Sequence, residues 1–311
     1  MLLRLLISTC VAALTILFTH APVSACSICR GGDQGFFINN ARLLPAGKWM
    51  LALDNMYIER TALHVHPVYH SHGPSRADNP TVLQSQAQHG VQVVLNYGVS
   101  NRLMLSLSLP FVRNRITQTP DKFRIKGFGD PEVMAIMHVA SFWANRLMLA
   151  ASAGVRLPLG ETDALDNYGF LLQPHDQIGS GAAAGIFGLQ LNYANRRLPI
   201  FVSSSIEANS TSDLALRHGD IVRVNFAVQR RLSSRFDVIA ETNTRNAELD
   251  WQGDTIIPNT GGSIIYFSPG MRFKLGRSVA LRGQVQMPVR ERLNGVQDEK
   301  TNLRGSFVWS L

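Results

Sequence analysis

The sequence predicts an all-β fold: a transmembrane antiparallel up-and-down β-barrel of about twelve strands. Apolar and polar residues alternate with a period of two in segment after segment, as they do along a strand with one apolar face. Most of these segments reach the about 9–11 residues that a tilted membrane strand needs, whereas soluble strands usually have about 5–6. The connections alternate between short and long, as in barrels with short periplasmic turns and longer outer loops.

The segment 302–311 shows the alternation clearly. Leu303, Phe307 and Trp309 fall on one face, and Arg304 and Ser306 fall on the other. A terminal strand with this pattern is typical of the closing strand of an outer-membrane barrel. We therefore expect the first and last strands to pair, with the N- and C-termini both on the periplasmic side.

The N-terminal region predicts export. Residues 1–25 have a positive start, an apolar stretch and a small-residue cleavage site, which together indicate a signal peptide. Residues 26–46 are then a periplasmic N-terminal segment with a C-x-x-C motif, and residues 47–311 form the barrel. Cys26 and Cys29 leave two alternatives open, lipidation of Cys26 after a lipoprotein-like box or a disulfide between the two. Metal or redox chemistry ranks below both.

The first three strands follow from the alternation. The first begins at Gly47, ends near Arg60 and is followed by a long polar loop over 61–88. The second runs over 91–99, and a tight turn at Ser100 and Asn101 leads into the third, over 103–111. A loop from about 113 to 130 follows. Two long apolar faces joined by a short turn are typical of a transmembrane hairpin.

The same unit recurs to the end of the chain. The predicted strands are 133–139, 147–157, one ending near Leu191, 198–207, 222–229, 235–244, 262–274, 279–289 and 302–311. The long connections are expected at 158–177, after 207, before 262 and at 291–301. The total is even, as in bacterial single-chain barrels.

Short motifs carry a resemblance to a known family. They are Leu109-Pro110-Phe111, the run 127–131 (GFGDP), the run 157–160 (LPLG) and Ser268-Pro269-Gly270. With these motifs the chain resembles outer-membrane transporters named for phenol degradation by the meta pathway. The resemblance implies passage of small molecules, aromatic or hydrophobic ones among them, and does not include the cysteine-bearing N-terminus.

Charged and polar positions on the inward faces are candidate pore-lining residues. They are Glu132, His138, Arg156, Arg223, Glu241, Arg272, Arg282, Gln284 and Arg304, with Asp54, Glu207 and Gln286 on the same faces. Eight strands enclose an interior that side chains fill, and sixteen enclose an aqueous channel, so twelve falls between. Two alternatives stay open: the charges pair across the lumen, or some arginines remain unpaired and favour the passage of anions.

Four histidines in the first outer loop are candidate metal ligands. His64, His66, His70 and His72 lie close together, and neutral imidazole binds zinc, copper and nickel. The alternative is a histidine-rich polar loop without metal. The chain has no G-x-S-x-G or H-E-x-x-H motif and His138 stands alone, so we predict that it is not an enzyme and requires no cofactor.

The charge balance suggests the partners. Charged residues make up 17% of the chain, and the formal net charge is +8. In an exported barrel this balance favours anionic lipid and lipopolysaccharide phosphates over nucleic acid. The cations Arg113, Arg115, Lys122, Arg124 and Lys126 could bind such phosphates or form a solvated loop.

The function predicted from these features is an outer-membrane channel for a small-molecule solute, with no prediction for the oligomeric state. The alternative is a plugged barrel with a structural or binding role. Outer loops that fold inward, especially 61–88, would favour the alternative.

Overall fold

The structure is a computed structural model, and it describes residues 43–65, 81–118, 121–167, 169, 171–172, 174–195 and 197–311. The predicted signal peptide, Cys26, Cys29, and His66, His70 and His72 lie outside these ranges. Within the part of the chain that the structure describes, no helix is long and apolar enough to cross a membrane.

Strands account for most of the described chain. They are β1 (Trp49–Val65), β2 (Thr81–Ser100), β3 (Leu103–Gln118), β4 (Asp121–Phe128), β5 (Glu132–Phe142), β6 (Leu147–Arg156), β7 (Ala184–Tyr193), β8 (Ile200–Asn209), β9 (Leu216–Arg217), β10 (Ile221–Arg231), β11 (Phe236–Ala247), β12 (Trp251–Gln252), β13 (Thr255–Ile256), β14 (Gly262–Lys274), β15 (Val279–Leu293), β16 (Gln297–Glu299) and β17 (Asn302–Ser310). A short 3-10 helix covers Pro174–Asp176.

Twelve of these strands close into one antiparallel barrel: β1, β2, β3, β5, β6, β7, β8, β10, β11, β14, β15 and β17. Each pairs with its neighbour in the chain, and β1 also pairs with β17, where Leu53 lies opposite Phe307. The remaining short strands belong to the long connections. The predicted fold class, the strand number and the pairing of the first with the last strand are confirmed.

The outer surface carries a belt of exposed apolar side chains, which we call the apolar belt. Leu53, Leu105, Val133 and Phe187 are examples, each at least 40% exposed. Large apolar patches are rare on soluble proteins, and a lipid-facing band flanked by aromatic rings is typical of membrane barrels. Two ring pairs bound the belt. At the end with the short turns, the ring centroids of Trp49 and Tyr97 lie 4.3 Å apart. At the other end, the ring centroids of Phe111 and Phe128 lie 5.3 Å apart.

Two hairpins continue beyond the apolar belt. The described parts of the predicted loop 61–88 are strand: β1 runs to Val65 and β2 begins at Thr81, paired opposite it. The predicted loop 113–130 is the end of β3 paired with β4. These two loop predictions were wrong because the outer strand face becomes polar above the belt, as at Glu59 and Arg113. On the β3–β4 hairpin the apolar side chains, Ile116 and Phe123 among them, lie on the inner face instead, so the lipid-facing pattern ends while the backbone ladder continues.

The N-terminal end of the described chain folds into the barrel at the end with the short turns. Leu44 packs against the inward-facing Met50, Val94 and Val308. A side chain at Gly98, which lies on the inner wall, would clash with the backbone of this segment. The barrel end therefore has an apolar floor that includes chain from before the first strand.

The connection 157–183 folds inward at the opposite end. Leu172 packs on Ile116 and Phe123, which belong to the inner face of the β3–β4 hairpin. Gln84 of β2 donates to Asp176 Oδ1 at 2.7 Å, and both residues are buried. This connection narrows the mouth. We call residues 157–183 the inward loop.

Candidate channel lumen

The nine candidate pore-lining residues all lie on the inner wall of the barrel. Six are buried to below a tenth of their surface: Glu132, Arg156, Arg223, Glu241, Arg282 and Arg304. His138, Arg272 and Gln284 are partly buried. They lie on this face because side chains on one strand alternate between its two sides, and their role in lining a pore stays a prediction.

A chain of four charged groups runs along the wall near the mouth. Arg156 donates from Nε to Glu132 Oε1 at 3.0 Å and from NH1 to Glu207 Oε1 at 2.6 Å. Arg223 donates from NH1 to Glu207 Oε2 at 2.9 Å. Glu207 is thus shared by two arginines on opposite sides of it. These contacts satisfy charges that would otherwise be costly to bury.

A second polar group lies deeper in the barrel, around Glu241. Gln284 donates to Glu241 Oε2 at 2.8 Å, and Asn243 donates to Oε1 at 2.7 Å. Asn243 in turn accepts from the Ser268 hydroxyl at 2.8 Å. Carboxylate, amide and hydroxyl side chains from β11, β14 and β15 therefore form one connected network on the wall.

Near the short turns, Arg272 donates to Asp237 Oδ2 from both Nε and NH2, at 2.9 and 2.5 Å. Lys274 lies 3.5 Å from the same oxygen. His138 is close to this end on the opposite wall, where its ring lies 2.7 Å from the Ser141 hydroxyl beside a β-bulge. This contact with Ser141 indicates neither a metal site nor a catalytic dyad.

The mouth holds a cluster that sequence reasoning missed, centred on Glu299 of β16. Arg245 donates to Glu299 Oε2 at 2.8 Å, and Tyr266 donates to Oε1 at 2.5 Å. Arg60 lies 3.4 Å from Oε2, and Asn302 donates to Oε1 at 3.1 Å. All five residues are buried.

Glu299 lies above the apolar belt, because β16 pairs with Arg60–Ala62, beyond the outward-facing Tyr57. Burial alone would raise the pKa of this carboxyl, but Arg60 and Arg245 outweigh it and lower the pKa to about 2. The carboxylate is thus ionised at neutral pH.

Arg60, Arg245 and Glu299 were missed for a definable reason. Arg60 was placed at the end of the first predicted strand, and Glu299 was assigned to the loop 291–301, since the strands continue beyond the apolar alternation. Arg245 lies one residue past the predicted end of its strand. Asp237 has the same parity as Glu241 on the ninth predicted strand, so the period-two rule could have found it.

The histidine prediction is only partly within the described chain. The backbone of His64 lies in β1, opposite Val82 of β2, and not in an open loop. Among the described residues, no group of three or more His, Cys, Asp or Glu side chains is arranged to hold a metal ion. Metal binding by His64, His66, His70 and His72 stays a prediction.

Comparison with known proteins gives support at the level of the fold. No protein-family model and no curated protein matches the sequence. A crystal structure of an outer-membrane channel from Pseudomonas putida F1 is similar, with a TM-score of 0.65 and 12% sequence identity over 91% of this chain and 99% of that one. The β domain of the Bordetella autotransporter BrkA follows, with a TM-score of 0.51 and 10% identity over 85% and 100% of the two chains.

The fold and the inner wall together define the class. The chain is a closed twelve-stranded β-barrel of the outer-membrane type, with an apolar outer belt and a charged inner wall. The short motifs that resemble the phenol-degradation transporters lie in this barrel, and the fold comparison supports an outer-membrane barrel without singling out that family.

Proposed function

We propose that the protein is a channel for small molecules in the bacterial outer membrane, with both chain ends in the periplasm. The observation that carries the proposal is the contrast between the two barrel faces. The outer belt is apolar and exposed, while the inner wall is lined by hydrogen-bonded ions and amides. A polar inner wall inside a closed barrel is the arrangement that porins use to hold water.

The wall also suggests the kind of solute. Met50, Val94, Met104 and Ile136 form an apolar floor, while Arg156 and Arg223 lie farther along the wall, near the mouth. A small molecule with an apolar or aromatic body and an anionic group would find partners in both zones. We therefore propose a weak preference for anions, with aromatic carboxylates as the class to test first.

Recording from planar bilayers tests this function. Purified full-length protein should give small, discrete conductance steps, and the reversal potential in a salt gradient should show a weak preference for chloride over potassium. Clear cation selectivity would contradict the anion preference. A bilayer with inserted, folded protein and no conductance at any voltage would contradict the channel.

The alternative, a plugged barrel with a binding role, is favoured by one observation. The described chain folds into the barrel from both ends, at Leu44 and at Leu172. If these segments never move, solutes bind without crossing. Liposome swelling with small sugars and benzoate separates the two functions, because only an open path gives swelling.

A further inference from the structure

Five cations form a ladder on the outside of the β3–β4 hairpin: Arg113, Arg115, Lys122, Arg124 and Lys126. We call it the basic ladder. All five are exposed. The strand register sets Arg113 opposite Lys126 and Arg115 opposite Arg124. Residues that face each other in this way have Cβ atoms about 4.5–5.5 Å apart, and like charges there destabilise the sheet.

The side chains that the structure describes do not neutralise the ladder. In the part of the chain that the structure describes, none of the five forms an ion pair with a carboxylate. Two acids flank the ladder, and each is engaged elsewhere. Glu59 accepts a hydrogen bond from the Tyr57 hydroxyl at 2.5 Å, and Glu161 accepts one from the Phe128 backbone N–H at 3.1 Å.

The height of the ladder relative to the membrane is fixed by the aromatic pair below it. Phe111 and Phe128 close the apolar belt, and Arg113 and Lys126 are the next residues on the same face. Two residues of strand advance by about 6.6 Å. The first cation pair therefore lies one step above the edge of the hydrocarbon, at the level of lipid head groups.

We propose that the basic ladder binds the phosphate groups of lipid A in lipopolysaccharide, with acyl chains against Phe111 and Phe128. Two facing cations match a phosphate, since guanidinium groups bind its oxygens in pairs. Bound phosphate would also remove the repulsion within the hairpin. The proposal rests on the proposed orientation, in which this hairpin faces the outer leaflet.

Binding in detergent tests the site without relying on channel function or orientation. Purified full-length barrel in a zwitterionic detergent is titrated with bisphosphorylated lipid A and with its dephosphorylated form. The double variant Arg115→Gln/Arg124→Gln should bind the bisphosphorylated form at least tenfold more weakly. The matched control, Arg235→Gln/Arg277→Gln, removes the same charge from exposed sites at the short turns and should bind like the parent chain.

Thermal stability gives a second readout. Without lipid, the ladder variant should melt at the same temperature as the parent or higher, because a like-charged pair is gone. Addition of lipid A should raise the melting temperature of the parent chain more than that of the ladder variant. Equal affinity for the two lipids, equal loss in the ladder and control variants, or displacement of lipid A by millimolar inorganic phosphate would overturn the proposal.

Discussion

Arg60 and Glu299 lie 3.4 Å apart and join the first strand of the barrel to the segment just before the last. Both are buried, and Arg245 reaches the same carboxylate from β11. The contact closes the barrel above the apolar belt, where lipid no longer supports the wall. The seam between the two ends of the chain is therefore held by charge as well as by the backbone ladder.

Substitution of Glu299→Gln should destabilise the barrel by about 3 kcal/mol or more, because it leaves two buried guanidinium groups without their anion. Denaturant unfolding in detergent, followed by tryptophan fluorescence, measures the change. Asp298→Asn is the control, since Asp298 is exposed and pairs with the exposed Lys300. Equal stability of the two variants would show that the seam does not depend on this ion cluster.

The same carboxylate predicts a pH dependence. Its pKa is about 2 in the folded barrel, against an ordinary value of about 4.3. A lowered pKa stabilises the fold above the unfolded pKa, and that contribution is lost as pH falls towards 2. The stability difference between the parent chain and Glu299→Gln should therefore be constant from pH 5 upward and shrink between about pH 4.5 and 2. A difference that persists at the acid end would contradict this cause.

The wall charges predict opposite shifts in selectivity. Glu207→Gln removes the anion shared by Arg156 and Arg223, so the reversal potential should move towards chloride. Arg223→Ser removes one of the cations and should move it towards potassium. Single-channel recording in a tenfold salt gradient measures both. Shifts of the same sign in the two variants would place this chain of charges outside the ion path.

The inward loop predicts a gain of conductance when it is displaced. A Cβ on Gly179 would lie 2.5 Å from the carbonyl carbon and oxygen of Gly160, so Gly179→Ala forces the two backbones apart. We expect a severalfold larger conductance and faster uptake of small antibiotics by whole cells. Gly276→Ala is the control, because a Cβ there meets nothing within 4 Å. Unchanged conductance with the loop demonstrably displaced would mean that the constriction lies elsewhere.

The orientation predicts a labelling pattern on intact cells. Ser85→Cys, on the exposed outer face of the β1–β2 hairpin, should react with a membrane-impermeant maleimide above the level of the parent chain. Ser233→Cys, in a short turn, should react only after the outer membrane is permeabilised. The reverse pattern would show that the barrel has the opposite orientation in the membrane. The basic ladder would then face the inner leaflet, and the proposal that it binds lipid A would lose its basis.

The sequence predicted the barrel well and its rims poorly, and one physical cause explains both. Inside the membrane, lipid requires apolar residues on one face, so Leu103, Leu105 and Leu107 mark a strand unmistakably. Above the membrane, water meets the outer face, so Arg113 and Arg115 point outward while the apolar Ile116 lies on the inner face, and the pattern of apolar residues towards lipid is reversed. Strand persists there without its signature.

The partners of the lumen charges were beyond prediction from one sequence. Arg156 and Glu207 belong to strands that are not neighbours, and Arg245 and Glu299 are 54 positions apart in the chain. Period two tells which wall a side chain faces, but only the register and curvature of the closed sheet decide which charges meet. The inward loop carried no periodic signal at all.

The pairing of β1 with β17 has a consequence for how the protein is made. In a product that lacks β17, most of the first strand has a partner on one edge only, and in a membrane the N–H and C=O groups of the other edge would meet hydrocarbon. A bilayer does not tolerate such an edge. Partial products therefore cannot settle in the membrane as smaller barrels. A nonsense mutation between β15 and β17 should be as damaging as one in β1.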